Sequence, residues 1–325
     1  MRAILCRSWG GPESLGFEEV APTPLGPHQV RVRVRACGVN FADTLVVAGK
    51  YQVKPPFPFS PGIEGAGDIV ETGSEVATLW PGQRVCFFLR ACGAYAEDIV
   101  ADAAATIPIP DTMDYVTAAS FPVAYGTSHL ALTHRGHLQP GETLLVLGAA
   151  GGVGLTAVEI GKVLGARVIA AAGSADKLAV AREHGADELI DYSKESIRDR
   201  VRELTGGNGA DVVYDPVGGD AFDQALRAVN WEARMLVIGF AGGRIQSVPA
   251  NLVLVKNISV VGVVWGAQGE RDPALVSRYL AELMRWWEEG RLKPVVSKIF
   301  PLAEAGAAMQ ALLSRRHPGR IVLEA

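Results

Sequence analysis

LLVLGAAGGVG, residues 144–154, is the segment from which the fold can be predicted. Its first four residues are apolar and predict a buried strand, whereas residues 153–164 predict a helix. A second apolar strand is expected at residues 168–172. Small residues between a strand and a helix let the backbone approach a pyrophosphate, whose charge then lies over the free N–H groups of the helix start. The A-x-G-x-x-G turn therefore predicts a dinucleotide-binding site formed by Ala150, Gly151, Gly152 and Val153.

The segments around this turn predict an α/β fold with a doubly wound, Rossmann-type parallel sheet. Apolar strand-like runs recur at residues 212–215, 235–239 and 258–264, and helix-like segments such as residues 176–184 lie among them. Apolar strands that alternate with helices are typical of a parallel sheet covered on both faces.

The N-terminal third of the chain has a different pattern. Residues 30–36, VRVRVRA, alternate strictly between apolar side chains and arginine, which is the period of a half-buried strand. Further strand-like segments at residues 67–72, 84–89 and 95–100 are separated by proline and glycine. This part is predicted to be an antiparallel, β-rich unit.

The end of the second strand indicates which dinucleotide binds. An NAD site usually has an acidic residue there, about 20 residues after the glycine-rich turn, to bind the ribose 2′-hydroxyl. This chain has Gly173 at that point, followed by Ser174 and Lys177, which can donate to a 2′-phosphate. Tyr192, after the next strand-like segment, can add a hydroxyl. NADPH is therefore the predicted cofactor.

Composition excludes several other classes of protein. The chain has 325 residues, 49% of them hydrophobic, with a formal net charge of −4, so no nucleic-acid partner is expected. No apolar run approaches the ~20 residues that span a bilayer, and the start, MRAILCRSWGG, is too polar for a signal peptide. The four cysteines match no metal or disulfide spacing. We therefore predict reduced thiols, no membrane association and a cytoplasmic location.

The dinucleotide turn, together with residues 38–43 (GVNFAD) and 61–67 (PGIEGAG), resembles the medium-chain dehydrogenase/reductase superfamily. The likeness is strongest to the zinc-free quinone oxidoreductases related to zeta-crystallin. The resemblance implies a Rossmann domain, residues 123–264, inserted in a GroES-like β-rich catalytic domain, residues 1–122, that residues 265–325 complete. It also implies a homodimer, in which the apolar strand region at residues 257–264 pairs with its mate.

The same resemblance predicts that the chain binds no metal ion. The zinc enzymes of this superfamily have a ligand cysteine where this chain has Asn40, and a ligand histidine where it has Ile63. Amide and aliphatic side chains do not make a zinc site of this kind. Cys37 precedes Asn40 by three residues and is predicted to be a small packed residue.

Without a Lewis acid, hydride transfer to an electron-poor conjugated acceptor is the expected reaction, so the predicted substrate is a quinone or an α,β-unsaturated carbonyl. The resemblance places Asn40 and Tyr51 at the substrate as hydrogen-bond donors, with Asp43 as a fixed acid. Tyr51 as a loop aromatic that covers the core, and Asp43 as a helix-start residue, remain open alternatives. So do two other functions: an enoyl-thioester reductase for acyl-CoA or ACP substrates, and a nucleotide-binding protein with little catalysis.

Further cofactor contacts are implied by the resemblance. They are Thr127, at the nicotinamide side, and residues after two later strands, Gly239, Phe240, Val264 and Trp265. Trp265, Tyr51, Phe57 and Phe59 are candidates for a flat apolar acceptor slot. Arg316 and Arg320 in the tail are able to approach the cleft, but surface positions are the expectation for both.

Overall fold

The structure is a computed structural model that describes residues 1–89 and 91–325. The chain forms two compact units. The first consists of Met1–Val123, Gly266–Glu288 and Pro294–Ala325, and the second of Ala124–Trp265 and Glu289–Lys293. Among the described residues, no helix is both long and apolar enough to cross a bilayer.

The strands, in chain order, are β1 (Arg2–Leu5), β2 (Gly16–Glu19), β3 (Gln29–Val39), β4 (Glu64–Thr72), β5 (Arg84–Phe88), β6 (Asp98–Asp102), β7 (Thr106–Pro108), β8 (Thr143–Leu147), β9 (Arg167–Ala172), β10 (Glu188–Asp191), β11 (Ala210–Asp215), β12 (Val229–Val237), β13 (Ser259–Gly262), β14 (Val296–Pro301) and β15 (Arg320–Glu324). The α-helices are α1 (Phe41–Val47), α2 (Tyr115–Ala119), α3 (Ala124–His129), α4 (Gly152–Val163), α5 (Ala175–Glu183), α6 (Ile197–Leu204), α7 (Gly219–Ala225), α8 (Ala250–Lys256), α9 (Trp265–Arg271), α10 (Pro273–Glu288) and α11 (Ala305–Leu313). A π-helix at Leu130–Arg135 continues α3.

The first unit is built on a sheet whose strands lie in the order β14-β15-β3-β4-β5-β7, with β6 also paired to β3. Neighbouring strands are antiparallel except β14 and β15. The alternation along β3 decides which face is buried. Val30, Val32 and Val34 lie in the core with at most 3% of their surface exposed, whereas Arg33 and Arg35 are exposed. The predicted antiparallel, β-rich unit is therefore present.

The predicted strand at residues 95–100 starts later than expected, at Asp98. Tyr95 and Ala96 instead pair with the N-terminal strand, since the Ile4 N–H donates to the Tyr95 carbonyl at 2.8 Å and Ala3 forms a bridge with Ala96. The alternation of side chains predicts an extended conformation but does not identify the partner strand, which is distant in sequence.

The second unit contains the predicted parallel sheet. Its strand order is β10-β9-β8-β11-β12-β13, and every neighbouring pair is parallel. The order reverses direction between β8 and β11, which is the point where an open α/β sheet binds ligands. The central strands are fully buried, as Leu145 in β8, Ile169 in β9 and Val213 in β11 illustrate. This is a Rossmann-type fold.

The tail that follows residue 264 is divided between the two units. Trp265 belongs to the second unit, where its indole lies against Gly126 of α3 so closely that a Cβ on that glycine would come within 2.5 Å of the ring. Residues 289–293 also belong there, because the Lys293 N–H donates to Glu159 of α4 at 3.0 Å and Arg291 donates to the Val163 carbonyl at 3.2 Å.

Candidate active site

The glycine-rich turn joins β8 to α4, and the residues at its two ends lie close to each other. The Gly151 N–H donates to the Gly148 carbonyl at 2.9 Å, and a Cβ at Gly154 would lie 2.2 Å from that same oxygen. Only glycine therefore fits at residue 154. Gly151 precedes the helix in an extended conformation and is exposed, and Gly152 and Val153 form the first turn. The first N–H groups of a helix have no partner within it, so this turn can hold a phosphate.

A buried carboxylate stabilises the neighbouring strand end at the same edge of the sheet. Asp215, the last residue of β11, accepts hydrogen bonds from the N–H groups of Val217 and Gly218, each at 2.8 Å. Burial raises the pKa of this carboxyl to about 6, against the effect of those two bonds. The Gly239 N–H reaches the Asp215 carbonyl at 3.3 Å, and Phe240 lies beside Gly218. The structure thus places Gly239 and Phe240 at the carboxyl ends of β11 and β12.

The four residues predicted to select the cofactor come together at the ends of β9 and β10. A Cβ at Gly173 would lie 3.1 Å from the Tyr192 ring and 3.5 Å from its hydroxyl. Ser174 is the N-cap residue of α5 and its hydroxyl makes no capping bond, while Lys177 lies in the first turn of that helix. Ser174 and Lys177 thus lie at the start of the helix that follows Gly173, together with Asp176, and Tyr192 packs against Gly173.

Gly126, which precedes Thr127 in α3, contacts the Trp265 indole. Thr127 and Trp265 are both buried, with 8% and 5% of their surface exposed, whereas Val264 is 61% exposed. Ser128, next to Thr127, contacts Thr156 of α4 and Tyr214 of β11, each at 2.8 Å between hydroxyl oxygens. These bonds attach α3 to the helix that begins at the glycine-rich turn. No local pattern in the sequence distinguishes Ser128.

In the first unit, Asn40 lies between β3 and α1 and its amide is held by two charged side chains. Its Nδ2 donates to Glu64 Oε1 at 2.8 Å, and its Oδ1 accepts from Arg320 Nη1 at 2.9 Å. Arg320 Nη2 also donates to Glu64 Oε1, and the Val123 N–H donates to Glu64 Oε2 at 2.8 Å. The three side chains are at least 94% buried. The orientation of the Asn40 amide is therefore determined by an internal ion pair.

Asp43 lies one turn further along α1. Its Oδ2 accepts from the Asn40 N–H at 2.8 Å and from the Tyr95 hydroxyl at 2.9 Å, while its Oδ1 is buried with no hydrogen-bond partner among the described residues. Burial raises the pKa of the carboxyl to about 7, against the effect of the two hydrogen bonds. These contacts match the helix-start alternative for Asp43.

Tyr51 is half-buried and packs against the core of the first unit. Burial, followed by the nearby carboxyl of Asp43 and thiol of Cys92, raises the pKa of its hydroxyl above the usual value. The group is therefore protonated at neutral pH and is able to donate a hydrogen bond. Cys37 is fully buried, its thiol donates to the Ala94 carbonyl at 2.8 Å, and burial raises its pKa. This agrees with Cys37 as a packed residue.

The residues around Asn40 do not fit a zinc ion. A catalytic zinc needs three protein ligands of the Cys, His or carboxylate type with an open fourth position. Here the amide oxygen of Asn40 accepts from a guanidinium, and residue 63 is isoleucine. Within residues 1–89 and 91–325, no group of three or more His, Cys, Asp or Glu side chains is placed to hold a metal ion.

Arg320 is buried, although a surface position was expected for it. The side chain is buried because β15 pairs with the end of β3, which brings residue 320 next to Asn40, 280 positions away in sequence. Arg316, by contrast, is exposed as predicted. Glu64 was also missed. Neither residue has a local signal that sets it apart, because EGAGDIV also contains Asp68 and RIVLEA also contains Glu324.

Comparison with known proteins agrees with this architecture. A family model described as "Alcohol dehydrogenase GroES-like domain" matches residues 26–111, and one described as "Zinc-binding dehydrogenase" matches residues 152–281. The chain is 43% identical to quinone oxidoreductase-like protein 2 of Mus musculus, over 99% of this chain and 91% of that protein. It is 37% identical to a quinone oxidoreductase of Pseudomonas aeruginosa, over 99% of both. The crystal structure of an Escherichia coli quinone oxidoreductase complexed with NADPH superposes with a TM-score of 0.92, at 30% identity over the full length of both chains.

The fold and the site together define a dinucleotide-dependent oxidoreductase of the medium-chain type. The chain belongs to the quinone oxidoreductase family, related to zeta-crystallin, within the medium-chain dehydrogenase/reductase superfamily. The predicted fold class, a Rossmann sheet combined with a GroES-like β-rich domain, is confirmed.

Proposed function

We propose that this protein transfers hydride from NADPH to quinones or related conjugated carbonyls and that it needs no metal ion. The observation that carries the proposal is the buried network of Asn40, Glu64 and Arg320. A cation at the Asn40 oxygen would have to displace the Arg320 guanidinium, which would leave that charge buried without its partner at a cost of several kcal/mol. A quinone ring is already electron-poor and accepts hydride without a Lewis acid.

The second unit contains the groups that the proposal assigns to NADPH. The N–H groups of residues 150–153 bind the pyrophosphate, and Ser174, Lys177 and Tyr192 bind the 2′-phosphate. Thr127, Gly239, Phe240, Val264 and Trp265 contact the ribose and the nicotinamide. When bound, NADPH supplies the hydride, so one proton from solvent completes the two-electron reduction of quinone to quinol.

Two side chains of the first unit are proposed to bind the acceptor oxygens. Asn40 Nδ2 carries two protons, of which Glu64 accepts one, so the second can bond to the oxygen on which negative charge develops. The raised pKa of Tyr51 keeps its hydroxyl protonated for the same purpose. Asp43 accepts its two hydrogen bonds from groups of the protein itself, the Asn40 N–H and the Tyr95 hydroxyl. We therefore propose that Asp43 positions Asn40 through the Asn40 backbone.

A homodimer is also part of the proposal. Strand β13 forms one edge of the parallel sheet, and an unpaired edge favours pairing with another strand. Several apolar side chains near this edge and on α8 expose more than half of their surface: Ile245, Leu254, Val255 and Val264. A two-fold contact between two copies would cover both the edge and these side chains.

The reaction can be tested by following NADPH oxidation with 1,4-benzoquinone, 1,4-naphthoquinone, 9,10-phenanthrenequinone and a 2-enone, with metal-free buffer and with chelator. We expect turnover with at least one quinone and no loss with chelator. Turnover with an enoyl-CoA or enoyl-ACP but with no quinone would favour the thioester reductase. Tight NADPH binding without turnover on any acceptor would favour a nucleotide-binding protein with little catalysis.

The roles of the two donor residues need a separate test. The double variant Asn40→Ala, Tyr51→Phe should reduce kcat with the accepted quinone by at least about tenfold, as the loss of donors to a developing negative charge predicts. Unchanged kcat would show that both roles are wrong even if the reaction is right. Tyr115→Phe, which removes a hydroxyl bonded to Asp68 within the same unit, is the control.

A further inference from the structure

Three buried hydroxyl groups of the second unit form a hydrogen-bonded network, which we call the hydroxyl network: Tyr214 in β11, Ser128 in α3 and Thr156 in α4. The Ser128 oxygen lies 2.8 Å from the Tyr214 oxygen and 2.8 Å from the Thr156 oxygen. None of the three residues has more than 4% of its surface exposed. Buried hydroxyls are costly unless they are hydrogen-bonded, so these contacts constrain how a strand and two helices pack together.

Two backbone carbonyls complete the hydroxyl network. The Ser128 hydroxyl reaches the Val153 carbonyl at 3.0 Å, and the Thr156 hydroxyl reaches the Ala124 carbonyl at 3.2 Å. Burial raises the pKa of the Tyr214 phenol, so its hydroxyl keeps its proton and can donate it to Ser128. Each of the three hydroxyl protons then has an acceptor.

The hydroxyl network joins two parts of the proposed cofactor site. Val153 belongs to the turn proposed to bind the pyrophosphate, and Ser128 follows Thr127, which is proposed to contact the nicotinamide side. Tyr214 is the fixed point between them, because its strand pairs with β8 on one side and with β12 on the other. The central sheet therefore determines where α3 lies relative to the glycine-rich turn.

We propose that Tyr214 is a positioning residue for the cofactor: its hydroxyl, acting through Ser128, holds Thr127 and the glycine-rich turn in one arrangement in which both contact the same NADPH molecule. This proposal rests on the proposed function, since it concerns the same cofactor. Phenylalanine would fill nearly the same volume without needing a partner, so packing alone does not require the hydroxyl. The residues proposed to bind the 2′-phosphate lie elsewhere, after β9 and β10. Loss of the hydroxyl should therefore affect a ligand that reaches α3 more than one that occupies the adenosine half alone.

The test compares two dissociation constants, one for NADPH and one for adenosine 2′,5′-bisphosphate, measured by calorimetry without any acceptor. The bisphosphate carries the 2′-phosphate and one phosphate for the glycine-rich turn but has no nicotinamide. In Tyr214→Phe, we expect the dissociation constant of NADPH to rise about three- to tenfold, the effect of one lost hydrogen bond, and that of the bisphosphate to change by less than about twofold. The control is Thr205→Val, which removes a hydroxyl that accepts from the Gly209 N–H at 2.8 Å in the same unit. It should change neither constant.

Two further variants show whether Tyr214 acts through the hydroxyl network. Ser128→Ala should raise the dissociation constant of NADPH selectively as well, and adding Tyr214→Phe to it should cause no further rise, because the bond between the two hydroxyls is already lost. Thr156→Val removes the third hydroxyl and should give the same selective rise. It provides the same comparison if Tyr214→Phe does not fold.

Several outcomes would overturn the positioning role. They are an unchanged dissociation constant of NADPH in Tyr214→Phe, an equal rise for NADPH and the bisphosphate, and effects of Tyr214→Phe and Ser128→Ala that multiply in the double variant. A wild type that binds NADPH no more tightly than the bisphosphate would overturn it too, because α3 would then add nothing to binding. If the wild type binds NADPH more tightly but reduces no quinone, the proposed function fails, and the binding comparison still decides the role of Tyr214.

Discussion

Arg320 and Glu64 form an ion pair in which only 7% and 0% of the two side chains remain exposed. The pair joins the last strand of the chain to the start of β4, and Asn40 bonds to both members. Removing one member would leave the other charge buried without its partner, which is much more costly than the loss of a surface ion pair. The position of Asn40 therefore depends on a contact between residues that are 256 positions apart.

Arg320→Met is accordingly expected to lower the free energy of unfolding by about 3–5 kcal/mol. Urea denaturation followed by circular dichroism measures this change. Arg316→Met, at an exposed position in the same tail, should change the stability by no more than about 0.5 kcal/mol. Equal stability of the two variants would show that the ion pair is not formed.

Asp43 should make the protein less stable as pH rises from about 4 to about 7. Its pKa is raised by burial from 3.8 to about 7, so the native state retains a proton that the unfolded chain has released over this range. This decrease in the free energy of unfolding is complete once the pH exceeds the folded-state pKa, and it amounts to roughly 4 kcal/mol at most.

Asp43→Asn removes this titration and can keep both hydrogen bonds by placing its amide oxygen at the Oδ2 position. We therefore expect the stability of the variant relative to wild type to increase between pH 4 and pH 8, as measured by urea denaturation at each pH. A difference that is constant across the range would contradict the raised pKa.

Lys177→Ala should weaken NADPH binding about tenfold or less while leaving NADH binding almost unchanged, because only NADPH has the 2′-phosphate that a lysine would contact. The measurement is the ratio of the two dissociation constants. Lys194→Ala is the control, since Lys194 is exposed and pairs with Asp191 at 3.2 Å. A parallel loss of affinity for both cofactors would place Lys177 outside the phosphate site.

Gly154→Ala and Gly151→Ala separate folding from cofactor binding. At residue 154 a Cβ would lie 2.2 Å from the Gly148 carbonyl oxygen, so the turn must shift and stability should fall by about 1–3 kcal/mol. At residue 151 the nearest atom is 3.3 Å away and the residue is exposed, so the alanine variant should fold but should bind NADPH more weakly. Thermal denaturation and cofactor titration measure the two effects, and identical behaviour of the two variants would contradict the close approach at residue 154.

Leu254→Glu is expected to convert a dimer to a monomer, because this α8 side chain is 78% exposed in the single chain and a carboxylate would be desolvated in the proposed contact. Sedimentation velocity measures the assembly state. Leu313→Glu, at a 43% exposed position on α11, should leave it unchanged. A monomeric wild type would refute the proposed dimer directly.

The parallel sheet and the glycine-rich turn were predictable because their signals are local. Four apolar residues in β8, the small residues that follow and the helix after them all lie within one short segment, and the close approach of Gly154 to Gly148 depends on the same few residues. The alternation in β3 is equally local, since it reports which face of one strand is buried. Asn40 was identified through the resemblance of residues 38–43 to the zinc enzymes of the superfamily.

The partners of Asn40 could not be predicted in this way. Arg320 follows the exposed Arg315 and Arg316 in sequence, and nothing in that segment distinguishes one arginine from the next. Its burial follows from the antiparallel pairing of β15 with β3, two strands of the first unit that are far apart in sequence. Trp9, whose indole contacts the rings of Phe57 and Phe59, is a similar case, because these two aromatic residues were candidates for an acceptor slot, but no local pattern connects them with the residues after β1.

Short-range patterns were thus sufficient to assign the two kinds of sheet and the nucleotide turn, since periodicity and turn chemistry act over a few residues. The substituted ligand positions came instead from the resemblance to the zinc enzymes of the superfamily. The environment of each side chain depends on which strands pair and in what register. Strand pairing and register depend in turn on the burial of the apolar face of the whole sheet, which involves residues distant in sequence. As a result, Arg320 is buried next to Asn40, and Trp9 lies against Gly49, two residues before Tyr51.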